Sequence, residues 1–477
     1  MNHFILLVVT MLCCTLIGVA QDSKVDYYPP SPIPDRIMLT LTATPHHSMA
    51  INWRTSLGIG ESYVQVLPSS AAPITADSAQ VFTASSSVLL SDKNGARYHS
   101  AVMSDLAPDT KYLYRVGDST YWSEWFEFKT ASDMAKPVSF LYLGDAQNDL
   151  KSQWSRAIRG AYSKMPKADF IIHAGDLIDH ANSDHEWGEW FYAAGWMYGM
   201  MPSVATPGNH EYYRDEQRKS FLSKHWEPTF TFPNNGPEDS KETVYYIDYQ
   251  DVRVISINSI SLQNSPQDSA AQVNWLINLL ENNNKKWTVV TMHYPIYSSK
   301  MGRDNIRLRT ALQPIFEQYN VDLVLQGHDH TYGRGSNLPL GEGKTTIGGP
   351  IYVVSVSGPK MYDLGLEDWV QRAAANTQLY QLIHIDGDLL KYEAYTITDD
   401  LYDAFELRKQ PNGRNLFFDL APKEVQEALE VPQSFQERYT EEDWAKYRQQ
   451  FEALQSKEKL SAHSTILHSH QIYGVSN

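Results

Sequence analysis

The sequence predicts an all-β sandwich followed by an α/β domain. Three observations carry that expectation. The chain has 477 residues, too many for one average domain. From Arg36 to Thr130, short β-branched and aromatic runs alternate with turn-rich stretches. Beyond Lys136-Pro137 the texture changes, and apolar runs alternate with segments of helical spacing.

The elements follow in order. Phe4 to Val19 is almost unbroken apolar sequence, no acidic or basic residue precedes Asp22, and Gly18-Val19-Ala20 offers small residues for cleavage. Residues 1–20 therefore read as a signal peptide, and the chain as secreted or periplasmic. Cys13 and Cys14, the only cysteines, lie inside that segment. The mature chain would then carry neither a disulfide nor a thiolate metal site. No later segment is long and apolar enough to span a bilayer. Pro29-Pro30-Ser31-Pro32-Ile33-Pro34 is a stiff linker.

The first domain is expected over 26–131. Its strand candidates include Met38 to Leu41, Ala50 to Trp53, Tyr63 to Val66 and Trp125 to Phe128. Leu106-Ala107-Pro108-Asp109-Thr110-Lys111-Tyr112-Leu113-Tyr114-Arg115-Val116 resembles the corner of fibronectin type III domains, where a buried tyrosine hydroxyl caps a loop. The second domain is expected over 137–400. Its apolar runs are Val138 to Leu143, Phe170 to His173, Val252 to Ile257, Thr288 to Met292, Val321 to Leu325 and Ile351 to Val356. Ala271 to Leu280 and Leu308 to Tyr319 carry helical spacing. Leu379 to Ile385 and Leu389 to Thr396 close the region as strands.

Residues 401–477 read as a partly helical C-terminal extension. Thr440-Glu441-Glu442-Asp443 can start a helix, and Trp444, Tyr447, Phe451 and Leu454 form a stripe that docks on the main body. His463, His468 and His470 lie in a polar, solvated tail. The formal charge of −16 argues against binding to a nucleic-acid backbone, so no surface of that kind is expected.

Five motifs carry the chemistry. They are Gly144-Asp145, Gly175-Asp176-Leu177-Ile178-Asp179, Gly208-Asn209-His210-Glu211, Val290-Thr291-Met292-His293 and Gly327-His328-Asp329-His330. Each places an oxygen or imidazole donor just past an apolar run, where ligands collect in open α/β sheets. Carboxylate, amide and imidazole donors suit hard or borderline metal ions. Singly each motif is weak; in this order they specify a two-metal hydrolytic site.

With these motifs the chain resembles the calcineurin-like metallophosphoesterases, and within them the purple acid phosphatases. The resemblance implies a fibronectin type III-like sandwich and a metallophosphoesterase domain made of a two-sheet β sandwich flanked by helices. It implies that Asp145 and His330 bind one metal, that Asp176 bridges both, and that Asn209, His293 and His328 bind the other. His210 would touch a phosphate oxygen or protonate the leaving group, making it, with Asp176, the catalytic pair. The cofactor would be two metal ions per chain, iron, manganese or zinc. The partner would be a small-molecule phosphate ester, hydrolysed as a monoester by water activated between the metals. A diesterase or nucleotide-cleaving enzyme on the same site is the alternative, followed by a non-catalytic binding protein.

The chain departs from the purple enzymes in two places. They carry Gly-Asp-x-x-Tyr, where tyrosinate binds ferric iron; here the position is Asp179. Asp179 is expected to orient other groups rather than to ligate. The first motif reads Asp145-Ala146-Gln147, so Gln147 is a candidate for the missing donor. On the substrate side, Tyr297, Tyr332 and Arg334 are the expected contacts: the two tyrosines follow the histidine motifs closely and should lie near the metals, and an arginine at the rim can hold a second phosphate or carboxylate. Tyr212, Tyr213, Arg214 and Arg303 are further rim candidates. His173 reads as core, while His180, His185 and His225 stay open between rim and scaffold.

Overall fold

The computed structural model describes residues 25–338, 346–453 and 456. The expected signal peptide, Leu454 and the three tail histidines lie outside the described residues. Among the described residues no helix is long and apolar enough to cross a membrane.

The first domain is a sandwich of two antiparallel sheets. One orders Gln80–Thr83, Tyr63–Pro68, Lys111–Gly117 and Phe126–Lys129. The other contains Asp35–Leu41, Met49–Ser56, Gly95–Met103 and Ser85–Leu90. Alternation turns Val64, Val66, Tyr114, Val116, Phe126 and Phe128 inward with Trp53. The Tyr112 hydroxyl accepts the Ala107 amide at 2.7 Å, closing the loop at the expected corner.

The second sheet of the sandwich does not stop at the domain boundary. Thr40 pairs in parallel with Ser203 on Ser203–Ala205, and the sheet continues to twelve strands. Phe170–His173 and Val138–Leu143 follow in parallel, then Leu379–Asp386, Leu389–Thr396, Leu401–Lys409, Asn415–Asp419 and Thr346–Ile347, each antiparallel to the strand before it.

A seven-stranded sheet packs against it. Tyr245–Tyr249 edges the parallel strands Val252–Ile257, Trp287–Met292, Leu323–Gln326 and Ile351–Val354; Tyr332–Gly335 and Val370–Ala374 complete it. Its period of two divides the core. Val252, Val254, Val289, Leu323, Leu325 and Val353 face the other sheet, with Ile383, Phe405 and Leu407. Ile255, Val290, Met292, Val324 and Val354 meet helices Pro266–Glu281 and Ile306–Gln318 on the outer face. Helices Ser155–Lys164 and Asp184–Ala194 cover the twelve-stranded sheet.

Two expectations need correction. The body does not end at 400: Leu401–Lys409 and Asn415–Asp419 are strands of the large sheet. Their charged residues hide the strand pattern, and the charge of buried Asp403 is met by Arg334 at 2.7 Å. Nor do Tyr332 and Arg334 reach a rim. Both are fully buried in the strand after the last motif. The Tyr332 hydroxyl donates to Asp403 at 2.6 Å, and Arg334 pairs with Asp403 and Asp419.

Past the strands, residues 441–453 are helical. Trp444, Tyr447 and Phe451 join the outer apolar cluster with Val431, so the described part of the stripe docks on the main body. Phe435 packs 6.0 Å from Tyr362, and the Tyr439 hydroxyl donates to Asp363 at 3.1 Å.

Candidate metal centre

All five motifs leave the C-terminal ends of parallel strands, so their side chains converge between the two sheets. The turns are tight. Asp145, Asp176, His328 and His330 have φ of 42°, 52°, 76° and 49°. Left-handed backbone is uncommon outside glycine and clusters where function over-determines it. Gly175 shares it, at φ +85°, and a Cβ there would lie 2.8 Å from His293 Nδ1. The carboxylate of Glu211 holds the loops together, accepting the amides of Asp176 at 2.9 Å, Leu177 at 2.7 Å and Gly208 at 2.6 Å.

The donors form two overlapping groups. Asp176, His293 and His328 offer atoms within 4.8 Å of one another, and so do Asp145, Asp176 and His330. Asp176 belongs to both. His293 Nε2 lies 3.1 Å from Asp176 Oδ2 and 3.2 Å from Asn209 Oδ1. His330 Nε2 lies 3.8 Å from Asp145 Oδ1. The other ring nitrogens are tied to backbone: His293 Nδ1 donates to Ala174 O at 2.8 Å and His330 Nδ1 to Lys360 O at 2.9 Å. That orients each ring and aims its Nε2 at the other donors, as backbone partners do for metal-ligating histidines.

Gln147 is wholly buried beside the group of Asp145, Asp176 and His330. Its Nε2 lies 2.8 Å from His330 Nε2 and 3.1 Å from Asp176 Oδ2, while its Oε1 is buried without a partner. A half-turn of the amide exchanges the two atoms and sets an acceptor oxygen among the donors. The orphaned oxygen and the all-N/O donor set fit a pair of hard or borderline cations.

Electrostatics bind the set further. Burial opposes ionisation of Asp176, but His293 beside it outweighs burial and holds the carboxylate below the usual range. Burial likewise disfavours charge on His293, and Asp176 overrides it, moving the imidazole up to about 9. Burial pushes His330 down to about 3 and raises Asp145.

His210 stands at the open side. Its amide donates to Asp176 Oδ1 at 2.9 Å and its Nδ1 to the Asp179 carbonyl at 2.7 Å. Nε2 is thereby left for a ligand. Asp179 is absent from both donor groups. Its carboxylate lies 3.3 Å from His210 Nδ1 and 3.7 Å from Lys360 Nζ.

Other expected residues are not brought to the donor groups. Tyr297 packs on Tyr352 and Trp369, at 5.1 and 5.9 Å. The Tyr212 hydroxyl is taken by Asn258 at 2.7 Å, Tyr213 stacks on Phe221, and Arg214 is exposed on the same hairpin. His173 lies in the core against Trp190 and Tyr198. His225 is buried on Trp187, while His180 and His185 pair with Glu186 and Glu189. Arg303 does arrive: its Nη1 meets Asp329 at 2.6 Å and the His328 carbonyl at 3.1 Å.

Sequence reasoning missed four residues. Glu211 closes the third motif, and a carboxylate following Gly-Asn-His was a usable signal. Tyr294 directly follows His293, and its ring lies 4.2 Å from that of His328. Lys360 and Tyr362, whose ring is 4.5 Å from His330, sit 30 or more positions downstream with no motif to flag them.

Comparisons with known proteins agree with this geometry. Residues 34–130 match the family described as purple acid phosphatase, N-terminal domain, and residues 131–332 match calcineurin-like phosphoesterase. Purple acid phosphatase 21 of Arabidopsis thaliana is 26% identical over 280 residues, 57% of this chain and 61% of that protein. The chain thus spans less than two thirds of that relative. The Fe(3+)-Zn(2+) purple acid phosphatase 12 of the same plant is 26% identical over 341 residues, 66% of this chain and 68% of that one. Among solved structures, purple acid phosphatase PPD1 from yellow lupin (Lupinus luteus) shares the fold, with TM-score 0.67, 16% identity, and coverage of 81% of this chain and 76% of that one.

Proposed function

We propose that this chain, a calcineurin-like phosphoesterase carrying a purple acid phosphatase N-terminal domain, hydrolyses phosphomonoesters at a site that binds two metal ions. One observation carries the reading: Asp176 belongs to two donor groups at once, as a carboxylate bridging two cations must. Asp145, His330 and Gln147 would hold one ion; Asn209, His293 and His328 the other. When bound, such a pair supplies Lewis acidity toward the phosphate and a water acidic enough to attack near neutral pH.

The chain's own residues then do the rest. His210, anchored through Nδ1, presents Nε2 toward the ester and can contact a phosphate oxygen or give a proton to the leaving group. Asp179 orients it. Glu211 keeps Asp176 and the Gly208 turn in register.

Iron, manganese and zinc all suit the donors, and one relative's name pairs ferric iron with zinc. We read the N-terminal sandwich as fibronectin type III-like, supported by the Tyr112 corner, and its role as scaffold. Secretion is the reading the apolar first twenty residues support.

The test is metal-stripped full-length protein reconstituted with single metals and assayed on aryl monoester and aryl diester. Metal-dependent turnover that favours the monoester is expected, and Asp176→Asn should abolish it with the fold intact. No turnover with any metal, or normal turnover by that variant, overturns the assignment. A diester preference replaces the substrate class.

A further inference from the structure

Beside the group of Asp145, Asp176 and His330 stands a cluster of positive charge that hydrolysis of a simple ester does not need. Tyr362, 4.5 Å from the His330 ring, marks that side of the mouth. Three cations surround its ring: Lys300 Nζ at 5.5 Å, Arg303 Cζ at 5.9 Å and Lys360 Nζ at 5.9 Å. Two loops bring them together, one following His293 and one following Ile351–Val354. All three side chains are about a quarter exposed, at 24%, 23% and 29%, so their heads can meet a ligand.

Each cation has an aspartate, yet none is saturated. Lys300 lies 3.4 Å from Asp363 and Lys360 lies 3.7 Å from Asp179, both long for a hydrogen bond. An ammonium carries three donors and a guanidinium five. Arg303 engages Asp329 and the His328 carbonyl through Nη1 alone. The aspartates are also claimed elsewhere: Asp329 by Ser298 Oγ at 2.8 Å and the Ser299 amide at 2.7 Å, Asp363 by the Tyr439 hydroxyl at 3.1 Å. A phosphoryl group between two metals is already neutralised. Cations set one ring further out match charge elsewhere on the substrate.

We infer that the substrate is a phosphomonoester whose leaving group bears a second anion, carboxylate or phosphate, held by Lys300, Arg303 and Lys360 around Tyr362. This rests on the phosphomonoesterase reading above and adds the substrate class. Charge-assisted contacts of this kind discriminate by about tenfold or more.

The experiment has a binding arm and a kinetic arm, both on the metal-loaded full chain. Calorimetry compares methylphosphonate with phosphonoalkanoates of increasing length. At least one carboxylate-bearing member should bind about tenfold or more tightly. That gain should vanish in Lys300→Met/Lys360→Met, with melting curves confirming the fold, and shrink in each single variant. The kinetic arm takes kcat/KM for phosphoglycolate and for a hexose bisphosphate, each over phenyl phosphate. These arms separate carboxylate from phosphate, and the favoured ratio should fall about tenfold in the double variant. Equal phosphonate affinities, or ratios the variants do not move, overturn the inference while turnover of phenyl phosphate keeps the phosphatase reading. If nothing is turned over, that reading fails and the binding arm still decides this one.

Discussion

The Glu211 carboxylate accepts the backbone amide of Asp176 at 2.9 Å. The residue shared by both donor groups is thus positioned by a buried acid whose carboxylate is spent on backbone amides. Glu211→Gln keeps the shape but turns an N–H toward amides that need an acceptor. Such partners typically affect metal affinity or activity by 10–100-fold, roughly. The variant should stay folded and lose metal on dialysis that the native protein retains. Equal metal content would show that Glu211 serves folding alone.

Arg36 and Asp184 link the two domains at a different point. Arg36 Nη1 meets Asp184 Oδ1 at 2.8 Å and Nη2 meets Oδ2 at 3.0 Å, with both side chains 3% exposed. Arg54 adds a 3.5 Å contact to the same carboxylate. Breaking a buried pair leaves an uncompensated charge and costs about 3–5 kcal/mol. Asp184→Ala should therefore lower the urea midpoint clearly and Asp184→Asn by less. A midpoint unchanged by either would mean that water reaches the pair.

Much of this could be read from residues alone, for physical reasons. Val138–Leu143, Phe170–His173 and Val252–Ile257 are buried along nearly their whole length, so they read as mostly apolar runs with sharp ends. The donors follow such runs directly, so the cluster was legible too. Asp184–Ala194 was not, because its interior holds Gly188; a Cβ there would lie 2.4 Å from the Tyr28 ring, a contact no local pattern reveals. Tyr332 and Arg334 misled because closeness along the chain was taken for closeness in space, whereas the chain turns from His330 straight back into the sheet. Lys360 reaches the site only through folding, when its main-chain carbonyl accepts a hydrogen bond from His330 Nδ1.

Asp179 occupies the position where purple enzymes place tyrosine, and its carboxylate faces His210 at 3.3 Å rather than the donor groups. Iron-loaded protein should accordingly show no tyrosinate-type visible band. Asp179→Asn keeps the main-chain carbonyl that accepts His210 Nδ1 and removes only the carboxylate charge 3.3 Å away, so it should retain two metals and lower kcat by about tenfold. Metal analysis, absorption and kinetics on one preparation check all three. A tyrosinate band, or metal loss in the variant, would move Asp179 and its neighbours into different roles.

Buried histidines outside the metal centre set an acid limit on stability. Burial pushes His173 down to about 3, and His99 and His225 to about 4, from an ordinary value of 6.5. The sign follows from linkage. Between those values and 6.5 the unfolded chain binds protons that the folded chain refuses, so stability is complete above about pH 6.5 and falls as pH drops toward 4. Each histidine contributes a slope of about 1.4 kcal/mol per pH unit within its window. His173 is the cleanest to test, enclosed by Trp190 and Tyr198 at 5.4 and 5.7 Å with its Nε2 unpartnered. Urea unfolding of metal-free His173→Gln, compared with native protein from pH 4.5 to 6.5, should show a slope shallower by about 1.4 kcal/mol per unit. Carboxylates titrate in both proteins and cancel in the difference. Parallel pH profiles would mean that His173 takes up its proton in the folded state, with water reaching it past Trp190 and Tyr198.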